Sequence, residues 1–101
     1  MRMEIRGRQL DVSEATRLHA ERRLRFALGR FSGRVGRVAV RVADVNGPRG
    51  GADKRCRIVV WLGRAGTVVV EDCDGDLYAA IDSAADRVGR LVARALHRAA
   101  A

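Results

Sequence analysis

The sequence predicts an α+β two-layer sandwich of order β-α-β-β-β-α, a four-stranded sheet with two helices on one face. Short segments in which apolar residues alternate one by one read as strands. Two longer segments, where they recur every three or four positions, read as helices. Glycine-rich breaks separate them. At 101 residues one domain is the limit, since a single core usually spans about this much chain. The 48% hydrophobic content supports such a core and argues against disorder.

Met3 and Ile5 alternate with Arg2, Glu4 and Arg6 in a first short strand, which Gly7 should break. Ser13 is the better N-cap for a helix reaching about Arg30. Thr16, Ala20, Leu24, Ala27 and Phe31 share one side of it, and Gly29 and Gly33 close it. Val38, Val40 and Val42 mark a second strand; Cys56, Ile58, Val60 and Leu62 mark a third. Asn46 to Gly51 is a loop by every local rule. Arg64-Ala65-Gly66 reads as a three-residue hairpin loop, which sets residue 62 opposite 68 and residue 56 opposite 74. Val68 and Val70 lie on the fourth strand. Asp74 or Asp76 caps the last helix, whose seam is Leu77, Ile81, Ala84, Val88, Leu91 and Ala95, widened by Tyr78, Ala85, Val92 and Leu96. The expected domain is 1–98, with a short tail at 99–101.

Lys and Arg number 20 against 12 Asp and Glu, a formal charge of +8. A pI near 11.3 points to a polyanion partner, most often nucleic acid. Lys54 is the only lysine; arginine suits phosphate because its planar fork donates two parallel bonds. A GC-rich coding bias accounts for much of the preference for Arg over Lys, but not for the net charge. No apolar run approaches the ~18 residues of a membrane span. The opening MRMEIRGRQL lacks the apolar core of a secretion signal, so a cytoplasmic location is expected.

Position says more than number. Arg87, Arg90, Arg94 and Arg98 fall within an arc of ~80° on the last helix, flanking its apolar seam. Asp82 and Asp86 point about 100° away. On the first helix Arg22 and Arg25 lie opposite the core side, with Arg23 and Arg30 at its edge. With the helices side by side, these arginines form one basic surface suited to phosphates of folded RNA recognised by shape. The plainer reading is a solvated helix flank.

The stretch DLYAAIDSAADRVGRLVARALHR, together with MRMEIRGRQLDVSEA and HAERRLRFALGRF, resembles the ribosome hibernation promoting factor family, also called ribosome-associated inhibitors or sigma-factor modulation proteins. The matching residues are Asp76, Leu77, Tyr78, Ala80 and Ile81, then Arg87, Arg90 and Arg94, and more weakly His19, Arg23 and Leu24. The resemblance covers roughly residues 1–98. It implies a fold related to double-stranded-RNA-binding domains. It also implies binding to small-subunit rRNA in the mRNA–tRNA channel, where the protein occludes both ligands and silences the ribosome under stress. Longer members carry a second domain that pairs ribosomes, and this chain stops at Ala101. Ribosome dimerisation is therefore expected to fall to an additional factor. The loop at 46–51, with Asp53-Lys54-Arg55 after it, departs from the best-known members.

Other features carry less. The expected strand parity points Cys56 into the core and Cys73 outward, so no disulfide is expected; a two- or four-residue loop would instead set them directly opposite each other. His19 and His97 lack metal-ligand spacing. Glu71, Asp72, Asp74 and Asp76 end a strand and cap a helix. Ser13 has no partnered base, and no acid–base or nucleophile constellation suggests an enzyme. No cofactor or small-molecule substrate is implied. Trp61 should point away from the core beside Arg55 and Arg57, as a stacking platform or as a ring lying flat among arginine stems. Two other functions stay open: a general structured-RNA binder, and a protein-interaction module using the open sheet.

Overall fold

The computed structural model describes residues 1–45 and 53–100. Its elements are β1 (Arg2–Arg8), α1 (Glu14–Leu28), β2 (Arg37–Asp44), β3 (Lys54–Trp61), β4 (Thr67–Asp74) and α2 (Leu77–Ala100). The sheet order is β1-β2-β3-β4. β1 runs parallel to β2, a pairing that needs a crossover, and α1 supplies it. β2, β3 and β4 follow as antiparallel neighbours.

Period-two patterning sorts each strand's residues between two environments. Ile5, Val40, Ile58 and Val70 lie abreast across the four strands, and all are buried. Leu24 and Leu28 of α1 and Ile81, Val88 and Val92 of α2 close over them. Ser13 caps α1, its Oγ accepting from the Thr16 backbone N at 3.1 Å. Asp76 caps α2 by accepting from Tyr78 N at 3.0 Å, and Asp74 holds the turn before it by accepting from Asp76 N at 2.9 Å. No helix among the described residues is long and apolar enough to cross a membrane.

The structure corrects several details. Gly7 does not break β1; it pairs with Val42, and the strand continues to Arg8. A glycine is needed there because the chain folds back closely: a Cβ would collide with the Leu10 carbonyl oxygen and sit 3.0 Å from Val12 Cγ2. The β3–β4 connection runs from Leu62 to Gly66 with a 3-10 turn at Gly63–Ala65, in place of the loop expected at 64–66. Gly63 and Gly66 both take positive φ, 57° and 96°, and Leu62 N donates to Gly66 O at 2.8 Å. The register therefore moves by two residues: Cys56 faces Asp72 rather than Asp74. Parity survives, leaving Cys56 buried and Cys73 exposed, both free thiols. Leu28 joins the core of α1 as a fully buried residue, while Ala27 and Phe31 are only half-buried. α2 continues through positions 99 and 100, where a tail was expected. The loop expected at 46–51 lies outside the described residues.

The two helices approach closely where Gly89 of α2 meets Ala27 of α1; a Cβ on Gly89 would lie 3.1 Å from the Ala27 carbonyl oxygen. Gly89→Leu should therefore force the helices apart and cost about 1–3 kcal/mol. Gly33→Ala, with nothing within 4 Å of the added Cβ, should leave the melting temperature unchanged or slightly higher. Thermal melts followed by circular dichroism check both.

Burial, then the neighbouring Asp72 charge, push the Cys56 thiol up to about 12. Cys73 should react with a thiol reagent in the native protein, and Cys56 only on unfolding. The sign of the pH effect follows from linkage. The unfolded thiol ionises near its ordinary value, whereas the folded one stays protonated. Stability is thus intact below pH ~9 and declines from there toward pH 12. Cys56→Ala should flatten the decline in melting temperature over that window.

Candidate nucleic-acid interface

Two features hold the helical layer together. One is the tight approach at Gly89. The other is a polar clasp across the α1–α2 seam. His19 Nε2 lies 2.6 Å from Asp82 Oδ1, and the imidazole stacks on Tyr78 with centroids 4.2 Å apart. Arg23 Nη2 donates to Asp86 at 2.7 Å. Arg23 Nε sits 3.2 Å from Asp82, an ion-pair contact without an aligned hydrogen bond. The Tyr-Ala-Ala-Ile-Asp and His-x-x-x-Arg-Leu motifs thus meet across the seam, tying helix to helix.

This arrangement divides the expected phosphate-binding arginines. Arg23 is committed to the clasp. Arg87 is committed to β4, where it donates to Asp72 Oδ1 at 2.5 Å and to the Glu71 carbonyl at 3.2 Å. Asp72 also accepts from Ser83 at 3.1 Å. Arg25 has only a loose i,i+4 contact with Glu21 at 3.9 Å. Arg22, Arg90, Arg94 and Arg98 are exposed and have no carboxylate partner among the described residues. Arg30 has none either; its guanidinium lies 4.7 Å from the Phe31 ring centroid.

The free cations are not scattered. Arg30 and Arg90 line one groove between α1 and α2, floored by Ala27 and Gly89. Arg87, Arg90 and Arg94 line a second recess with Leu91. The absence of a side chain at Gly89 lets a guanidinium from the turn after α1 and one from α2 border one trough. Asp86 lies on the first groove's wall but is already bound to Arg23.

Phe26 is a residue the sequence reading missed. It is 83% exposed and lines the same groove as Arg30 and Arg90. Its signal was present: Arg22 sits four positions before it on α1 and Arg30 four positions after it, in the 3-10 turn Gly29–Phe31 that follows the helix. An exposed aromatic between arginines offers a stacking surface beside the phosphate-binding groups.

Elsewhere, Lys54 bridges Asp53 and Asp44 at 3.1 and 3.4 Å, closing the base of β2–β3. No cluster of three His, Cys, Asp or Glu that could hold a metal ion is found among the described residues.

Residues 3–100 match the family of sigma 54 modulation protein / S30EA ribosomal protein. The N-terminal domain of Thermus thermophilus protein Y is similar at 34% identity and a TM-score of 0.76, with 93% of this chain and 98% of that one covered. A ribosomal subunit interface protein from Coxiella burnetii shares the fold at 18% identity and a TM-score of 0.77, over 93% of this chain and 96% of that one. No curated protein matches. With the resemblance borne by the Tyr78 motif, the shared fold and a match over nearly its whole length, the chain belongs to the sigma 54 modulation protein / S30EA ribosomal protein family of hibernation factors.

Proposed function

We propose that the protein is a cytoplasmic, ribosome-associated translation inhibitor. Its helical layer binds small-subunit rRNA in the mRNA–tRNA channel, and the bound chain excludes both ligands. Family membership supports the ribosome as target. The observation that carries the binding surface is the trough shared by Arg30 and Arg90, continued along α2 by Arg94 and Arg98. Guanidiniums without internal carboxylates keep their full capacity for phosphate oxygens. Arg22 and Arg25 extend the surface on α1. Arg23 and Arg87 act mainly by fixing the helices, with their outer edges facing the same ligand. The inhibition is steric and requires no catalysis. Residues 1–98 act as one ribosome-binding unit.

Arg90→Glu/Arg94→Glu should abolish co-sedimentation with the small subunit in a sucrose gradient, with the circular dichroism spectrum unchanged. Retained co-sedimentation would remove α2 from the interface. Bulk duplex RNA competing as well as ribosomes at physiological salt would instead favour a general structured-RNA binder.

Asp82→Asn/Asp86→Asn should act in the opposite direction. It removes the Asp86 carboxylate from the trough's wall and the Asp82 carboxylate one turn before it on α2, and releases Arg23, so affinity for the subunit should rise several-fold at low salt. The seam should weaken by about 1 kcal/mol or less per partly exposed pair. Filter binding and thermal melts measure the two effects.

A further inference from the structure

The other side of the sheet carries no helix, and it is also basic. Arg6, Arg41 and Arg57 lie side by side on β1, β2 and β3. Arg2 and Arg37 adjoin Trp61 at one end of the sheet, and Arg8 lies in the row of Arg55 at the other. Only Glu4 and Glu71 are acidic among the sheet positions on this side.

These carboxylates only partly neutralise the surface. Glu4 lies 3.2–3.6 Å from Arg41, Arg6 and Arg37. Desolvation pushes the Glu4 carboxyl up, but Arg6, Arg41 and Arg37 together outweigh it and hold the group below its ordinary value. Glu71 reaches Arg55 only at 3.9 Å. Arg2, Arg8 and Arg57 have no carboxylate partner among the described residues.

The surface also has shape and a planar element. A depression of about 520 Å³ lies between Arg6, Arg41, Arg55, Arg57 and Trp61. Long side chains cover its floor so well that Ala39 and Ala43 are only 4% and 6% exposed. Arg37 stacks on the Trp61 indole, its guanidinium carbon 4.6 Å from the ring centroid. Trp61 thus lies among arginine stems, as the flatter reading expected, and the guanidinium–indole stack still presents a plane to the solvent side.

We propose that this open sheet face is a second nucleic-acid site, which takes a single-stranded RNA segment. The Arg6–Arg41–Arg57 row holds its phosphates, and a base stacks at the Arg37–Trp61 plane. Adjacent strands lie about 4.8 Å apart, so the row spans roughly two strand spacings, a reach suited to consecutive phosphates of an extended strand. An acidic peptide would match the charge but would leave the planar stack unused; unpaired bases use both. The site is on the opposite side of the sheet from the helical trough and does not rest on the ribosomal reading.

Trp61 is the only tryptophan, so its emission reports this face alone. Titration of the full chain with a 12-nucleotide oligouridylate should quench that emission. The log of the binding constant should fall with log salt at a slope of about −2 for three phosphate contacts. Arg41→Glu/Arg57→Glu should weaken the quench-derived affinity at least tenfold, and Arg41→Gln/Arg57→Gln should weaken it less. Arg90→Glu/Arg94→Glu on the helical side should leave it within twofold. Circular dichroism confirms that each variant is folded. Absence of quenching, equal affinity for polyglutamate or duplex RNA, or indifference to both sheet variants would overturn the proposal. If the unaltered protein fails to co-sediment with ribosomes while its emission is still quenched, the ribosomal reading falls and this site stands.

Discussion

The molecule depends on how closely α2 can lie against α1. Gly89 brings the Ala27 backbone within contact distance of the facing helix, and the His19–Asp82 and Arg23–Asp86 contacts hold that approach. Widening the seam would separate Arg30 from Arg90 and turn one trough into two unconnected flanks. The same seam closes the core, because Leu24, Val88 and Val92 meet the sheet only when both helices are seated. Packing and charge display would be separate matters in a looser bundle; here the same contacts govern both.

Carboxylate placement is the second organising constraint. The acids of α2 and the end of β4 are largely engaged inside the molecule: Asp82 and Asp86 at the seam, Asp72 on Arg87, Asp74 and Asp76 on backbone N–H groups. With these negative charges occupied, the outer α2 arginines remain uncompensated. Fixed ion pairs at such partly exposed sites add little stability individually. Their larger consequence is a charge pattern with basic surfaces on both sides of the sheet.

Local pattern carried much of the fold. The alternation Cys56, Ile58, Val60 and the three- and four-residue spacing of Ile81, Ala84, Val88 required no tertiary information, and both were borne out by burial. The hairpin was harder, because two glycines compete for the positive-φ positions and moving between them shifts the register by two. The role of Gly7 depends on a return of the chain at Leu10 that no periodicity reports. At the site, the α2 stripe was visible as an arc, but the engagement of Arg23 and Arg87 was not. Their partners lie 63 and 15 positions away, beyond any helical-wheel argument. The basic sheet face was hidden similarly: each strand shows a few alternating arginines, and only the register lines them up.

The most direct test of the account is a cryo-electron microscopy structure of the protein on the small ribosomal subunit. The account expects the chain in the mRNA–tRNA channel, with Arg90 and Arg94 of α2 and Arg30, just after α1, within hydrogen-bonding distance of rRNA phosphates. Arg87 should still be paired with Asp72. A complex in which the Arg30–Arg90 trough faces solvent, or in which the protein sits outside the channel, would contradict it.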